Sequence, residues 1–139
     1  MLATLADIKL FQLETPQQEL TVLNLEIFFK KPVSRIFIVH PIQENVERGD
    51  HAHKSVTQLL ICLHGSCKVT CHDGEKIKTY PLQRSVTALL IPPTIWAKQY
   101  YELPDTKLMV VCDEPYNEEE YLRNYDDFLK YRRQMTEEK

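Results

Sequence analysis

The chain carries no excess of positive charge: 17 Lys and Arg stand against 20 Asp and Glu, a formal net charge of −3 over 139 residues. A nucleic-acid surface needs a basic patch or stripe, so no such partner is expected. No apolar run approaches the ~18–20 residues that cross a bilayer, and no membrane association is expected. The first residues, MLATLADIKLFQLE, lack the basic start and the uninterrupted apolar stretch of a secretion signal, which makes the cytoplasm the expected compartment. None of the four cysteines, Cys62, Cys67, Cys71 and Cys112, forms a CxxC pair, and in a reducing compartment all should be free thiols. Internal repeats, low-complexity segments and domain boundaries are also missing, so residues 1–139 are expected to form a single domain.

What is present is a succession of short runs rich in Val, Ile, Leu, Thr and Phe. They are LTVLNLEIFF (20–29), RIFIVH (35–40), TQLLICLH (57–64), CKVTCH (67–72), KIKTYPL (76–82), VTALLIP (86–92) and KLMVVCD (107–113). Such runs, closely spaced and free of helical periodicity, predict β-strands over residues 1–115, folded as a sandwich or small barrel. Asp73-Gly74 predicts a hairpin that pairs 67–71 with 76–80. Cys67 and Cys71, with His64 and His72 nearby, suggest a zinc cluster, but on a strand the cysteines face opposite to the histidines and read as small core side chains. Only the C-terminus changes period. Asn117 followed by three glutamates looks like a helix N-cap, and Tyr121, Leu122, Tyr125, Phe128 and Leu129 recur at three and four residues. A helix is predicted over 117–135.

The chemistry is concentrated in RGDHAHKSVTQLLICLHG, residues 48–65. Alternation puts His51 and His53 on one face of a strand, and in a barrel that face is the lumen. Gln58 lies five residues further on, so it joins them only if the chain bends around Lys54-Ser55-Val56. The spacing His51-x-His53-x4-Gln58-x6-Gly65 resembles the first motif of the cupins, small β-barrels of jelly-roll type. That motif reads HxH, four residues, Glu, six residues, Gly. In metal-binding cupins the Glu is a ligand and a second motif supplies a further His. Here Gln58 holds the Glu position and Ala97 the His position, within Pro92-Pro93-Thr94-Ile95-Trp96-Ala97. Two imidazoles and a neutral carboxamide are a poor divalent-metal set, so no metal and no other cofactor is expected. Acid–base work remains, because imidazole takes up and returns protons near neutral pH.

A longer resemblance specifies the reaction. R-G-x-H-A-H-K (Arg48 to Lys54), Q-x-L-x-C-L-x-G-S (Gln58 to Ser66), P-x-x-W (Pro93 to Trp96) and the tail YNEEEYLRNYDDF (Tyr116 to Phe128) are similar to the nucleotide-sugar 3,4-ketoisomerases, cupins that act on dTDP-4-keto-6-deoxyglucose. The resemblance implies an all-β cupin jelly-roll barrel with a C-terminal α-helix. It implies an enzyme that moves a carbonyl from sugar carbon 4 to carbon 3 through an enediol, in deoxy-amino-sugar synthesis for surface polysaccharide. His51 is the expected base, with His53 assisting. Gln58 is the expected donor to the enediolate or the holder of an imidazole tautomer. Arg48 and then Arg35 are the candidates for the diphosphate. Trp96 is a candidate for packing on the sugar or base, or for the core, and Lys98 for a further substrate contact. The resemblance also implies a homodimer that exchanges N-terminal strands, for which LTVLNLEIFF is the candidate.

The chain departs from that family's pattern in two places. Tyrosines that often follow the residue matching Arg35 are replaced by Phe37 and Ile38, and Ala97, Lys98 and Gln99 follow Trp96. These substitutions keep two alternatives in view: a nucleotide-sugar-binding cupin with altered catalysis, and a metal-dependent cupin enzyme. Because the anionic ligand is missing, turnover should survive exhaustive chelation, and metal analysis of the purified protein should find less than one equivalent; loss of turnover that added metal restores would establish the metal-dependent alternative.

Overall fold

The computed structural model describes residues 2–13, 19–83 and 87–137. Among these residues there are ten strands, β1 (Lys9–Gln12), β2 (Arg35–Val39), β3 (Val46–His53), β4 (Gln58–His64), β5 (Ser66–His72), β6 (Ile77–Gln83), β7 (Thr87–Ile91), β8 (Trp96–Tyr101), β9 (Lys107–Cys112) and β10 (Tyr121–Leu122), with an α-helical turn, α1 (Leu25–Phe28), between β1 and β2 and a helix, α2 (Tyr125–Glu137), after β10. They form two five-stranded antiparallel sheets, ordered β1-β7-β4-β9-β2 and β10-β3-β8-β5-β6. This is the jelly-roll arrangement. The hairpin expected at Asp73-Gly74 is present, with β5 and β6 paired from Ser66 opposite Gln83 to His72 opposite Ile77.

The core lies between the sheets. Leu60, Cys62, Val69, Cys71, Leu89, Leu108 and Cys112 are fully excluded from solvent there, and the cysteines are free. A second apolar layer, Leu59, Ile61, Ala88 and Val111 with Leu13 and Phe29, covers the outer face of the first sheet. Strand β4 is thus buried on both faces from Gln58 to Cys62, which explains its unbroken apolar run. On the outer face of the second sheet, Ala52, Trp96 and Leu122 pack under Phe128 of α2.

Two expected elements take a different form. Within the run 20–29, Leu25–Phe28 forms a helical turn instead of a strand, with the Phe29 N–H donating to Leu25 O at 3.1 Å. An apolar run of that length satisfies either period. Here the turn lays Leu25 and Phe28 on the outer layer, where Phe28 meets Phe11 edge-on with ring centroids 4.9 Å apart. The helix expected from residue 117 starts at Tyr125. Asn117 caps only a 3₁₀ turn, Glu118–Glu120, by accepting from Glu119 N. Tyr121 and Leu122 then pair with His53 and Ala52 of β3, and Asn124 caps α2 by accepting from Asp127 N at 3.0 Å. Both asparagines carry the local signal for a cap. The unpaired edge of β3 takes the residues between them, because its N–H and C=O groups require partners.

Gly65, at φ +79 between β4 and β5, occupies a place where a Cβ would lie 2.4 Å from Thr106 Oγ1 and 3.0 Å from Thr106 Cα. Thr106 is fully buried, and its hydroxyl donates to the carbonyls of Ser66 and Leu103. Gly65→Ala should therefore destabilise the fold by at least about 2 kcal/mol, combining a disfavoured φ with displacement of a buried threonine; an unchanged urea midpoint would contradict this.

Candidate active site

A β-bulge organises the site. From Val46 to Gly49, β3 pairs with β8 in one register (Arg48 opposite Gln99, Gly49 opposite Lys98), and His51 opposite Ala97 begins a register shifted by one residue. The extra residue is Asp50, at φ +63, after Gly49 at φ +85. Strict alternation would put residues 48 and 51 on opposite faces. The bulge resets the count, so Arg48 and His51 line the same cleft and His53 follows them inward. β3 ends at His53, turns at Lys54 and Ser55, and crosses into the other sheet, where Gln58 opens β4 facing the same lumen. The bend required for convergence is present.

The cleft has a volume of about 470 Å³ and is walled by Arg48, His51, Gln58, Gln99, Phe37, Tyr121 and Arg123. His53 lies one layer deeper. Its Nδ1 is in close contact with Glu120 Oε1, while Glu120 Oε2 accepts from the backbone N–H groups of Lys54 (3.1 Å) and Ser55 (3.3 Å). The two imidazoles stand edge to face, with centroids 5.0 Å apart and planes at 88°. His51 Nδ1 and His53 Nε2 are buried without hydrogen-bond partners. The Tyr121 ring packs on both, 5.0 Å from His51 and 4.5 Å from His53. Its hydroxyl accepts from Arg35 Nη2 at 3.2 Å, and Arg123 lies over its other neighbourhood at 4.3 Å from the ring centre, doubly hydrogen-bonded to Glu118.

Burial, and then the neighbouring His53, push the His51 pKa down to about 4. Burial lowers His53 as well, opposed by its bond to Glu120. Both rings are therefore neutral at physiological pH, each with a nitrogen free to accept or donate a proton.

Of the residues expected to form the site, Arg48, His51 and Gln58 meet on the cleft wall, His53 supports from behind, and Arg35 reaches the cleft through Tyr121. Trp96 and Lys98 are not there. The register of β8 turns Ala97, Gln99 and Tyr101 toward the barrel interior and their neighbours outward. Trp96 is buried beneath α2, 5.3 Å from the Tyr125 ring and 5.6 Å from Phe128, and Lys98 Nζ lies on the outer surface 3.5 Å from Glu47. Sequence reasoning missed Gln99, Glu120, Tyr121 and Arg123. The last three lie within the tail motif YNEEEYLR, whose acidic cluster reads as a helix start and hides the strand pairing that carries them into the site. Among the described residues no group of three or more His, Cys, Asp or Glu is arranged to hold a metal ion. The Glu120 carboxylate, beside the imidazoles, is occupied by His53 and two amides.

A two-sheet barrel with an imidazole pair and arginines around its open cleft is the architecture of a cupin. The chain belongs to the family described as "FdtA: WxcM-like, C-terminal", whose model matches residues 3–133. It is 34% identical over 107 residues, 77% of each chain, to the TDP-4-oxo-6-deoxy-alpha-D-glucose-3,4-oxoisomerase of Aneurinibacillus thermoaerophilus. Among solved structures it is similar to a 3,4-ketoisomerase from Helicobacter canadensis, at 30% identity and TM-score 0.84 over 90% of this chain and 96% of that one. It is also similar to the sugar 3,4-ketoisomerase QdtA of Thermoanaerobacterium thermosaccharolyticum in complex with TDP, at 26% identity and TM-score 0.85 over 95% and 98%.

The depressed His51 pKa makes stability depend on pH. Between about 6.5 and about 4 the unfolded chain binds a proton at this position and the native protein does not, so stability falls as pH drops through that window. For a ring that faces a cleft, the loss should be about 2 kcal/mol. His51→Asn should remove that part of the slope; urea denaturation of both proteins at pH 7 and pH 4.5 measures it, and identical slopes would contradict the assignment.

Proposed function

We propose that the protein is a metal-independent sugar 3,4-ketoisomerase that converts dTDP-4-keto-6-deoxy-D-glucose to a dTDP-3-keto-6-deoxyhexose, serving amino-sugar synthesis for surface polysaccharide in the cytoplasm. The observation that carries this reading is the difference between the two imidazoles. His51 faces the open cleft, while His53 is held from behind by Glu120. A neutral His51 removes the proton from carbon 3, which the carbon 4 ketone acidifies. The electron pair passes into an enediolate on the carbon 4 oxygen, the carbon 3 hydroxyl proton moves to that oxygen, and the proton held by the imidazole is returned to carbon 4 as carbon 3 becomes the ketone. His53, with Glu120 accepting from Nδ1–H, keeps its Nε2 available to share the proton. Gln58 offers a carboxamide donor for the enediolate oxygen, an interaction of about 3–4 kcal/mol where the donor is preorganised.

Arg48 and Arg123 on the cleft wall, with Arg35 behind Tyr121, suit a diphosphate. Tyr121 also bears on the alternative of a catalytically silent binder. Phe37 and Ile38 bring no hydroxyl, but the Tyr121 phenol packs on both imidazoles and is polarised by Arg35, which favours an active site over a silent one.

We further propose a homodimer with exchanged N-terminal strands. β2 is the free edge of its sheet, and Ile36 and Ile38 on it are 54% and 47% exposed. The run 20–29 expected to exchange holds the α1 turn in place of a strand, so the strand we propose for the exchange is β1, which pairs with β7 of its own chain in this structure and would pass to the partner's β7.

Incubation with the 4-keto sugar nucleotide in deuterated water should give the 3-keto product with deuterium at carbon 4 by NMR. His51→Asn should lower kcat by about 10³-fold, and Glu120→Gln by about 10-fold, with TDP affinity retained. Tight TDP binding by the parent protein without exchange or product would establish the silent binder instead. Light scattering at micromolar concentration should report a dimer, and a monomeric mass would remove the exchange.

A further inference from the structure

We infer that Trp96 and Asp50 form a positioning clamp on the outer face of the barrel, which holds the β3 bulge and thereby aims His51 into the cleft. This rests on the isomerase reading. Asp50 is the residue inserted into the β3–β8 ladder, and it adopts φ +63, a conformation an aspartate tolerates but does not favour. Its Oδ1 accepts from the Trp96 indole N–H at 2.9 Å. Trp96 is only 5% exposed and is fixed between Tyr125 and Phe128 of α2. The bond therefore ties an exposed bulge residue to a buried, packed one. Inside the barrel the same bulge is matched by Gln99, whose carboxamide lies where a Cβ on Gly49 would come within 3.0–3.2 Å of it. Seen from both faces, the backbone at 49–50 has one arrangement, and the next residue is His51. Releasing Asp50 allows the bulge to relax toward regular pairing. That would turn His51 out of line with the substrate without touching substrate, His53 or Glu120.

The test uses full-length variants. Trp96→Phe keeps the aromatic packing and deletes only the N–H. Asp50→Gly keeps the positive φ and deletes the acceptor, and Asp50→Asn keeps both the acceptor and the tolerance of φ. Trp96→Phe and Asp50→Gly should each lower kcat by roughly 10–100-fold with KM within about 2-fold, as displacement of a reacting group does. The double variant should be no worse than either single one, and Asp50→Asn should stay within about 3-fold of the parent. An NMR titration of the His51 imidazole, read without substrate, should move toward the ordinary value near 6.5 in Trp96→Phe and not in Asp50→Asn. If Trp96→Phe does not fold, Asp50→Gly carries the same test, since it alters no core side chain. Parental kcat and an unshifted His51 titration in either clamp variant overturn the clamp, as do additive losses in the double variant. A parent protein without isomerase activity overturns the functional reading instead, and the His51 titration still decides the clamp.

Discussion

A carboxylate that is 93% removed from solvent has to find compensating donors, and Glu120 finds all of its own at one corner of the barrel. One oxygen meets His53 Nδ1, and the other takes the backbone N–H groups of Lys54 and Ser55. The Lys54 N–H also donates to the Glu120 carbonyl at 2.8 Å. These bonds join three things that are distant in sequence: the end of β3, the turn that carries the chain into the other sheet, and the C-terminal segment. The tail is consequently part of the candidate site. It supplies the partner of His53, the Tyr121 ring between Arg35 and the imidazoles, and Arg123 at the mouth of the cleft, while α2 closes over the far side of the same sheet.

The remaining geometry follows from how two periodicities are broken. A β-strand turns alternate residues inward, which would separate Arg48 from His51 and Gln58 from both histidines. The bulge at Asp50 corrects the first mismatch and the sheet crossing after His53 corrects the second. A guanidinium, an imidazole and a carboxamide thus share one cleft, all drawn from the 11 positions that run from Arg48 to Gln58. Burial then sets the electrostatics. Rings excluded from water stay neutral, and a neutral ring can take a proton from carbon.

Much of this was legible beforehand. The apolar strands were readable because two-sided burial of β4 and one-sided burial of its neighbours leave continuous or alternating apolar runs. β8 and most of β3 were not marked that way, since their inward positions carry Gln99, Ala97, Arg48 and the histidines, polar or small residues that a cleft permits and a core does not. The turn at Leu25–Phe28 was read as a strand because its apolar residues fit either period. Trp96 and Lys98 were candidates for the cleft only because their register was unknown; β8 points them outward, and Ala97 between them and Gln99 beyond them point in. Glu120 was hidden by good local chemistry, since Asn followed by three glutamates caps a helix in isolation.

The amino-acid sequence by itself determined the elements whose signals are local: the strands with uniform apolar faces, the Asp73-Gly74 hairpin, the HxH pair with Arg48 before it and Gln58 after it, and the free cysteines buried as small apolar side chains. Only the tertiary structure decided which of the two imidazoles faces the cleft, that Glu120 is the partner of His53, and that Tyr121 pairs with β3 before α2 begins. The physical reason is the same in each case. A side chain's direction depends on the register of a strand against a neighbour many residues away, and a buried charge is satisfied by whatever donors the fold brings to it.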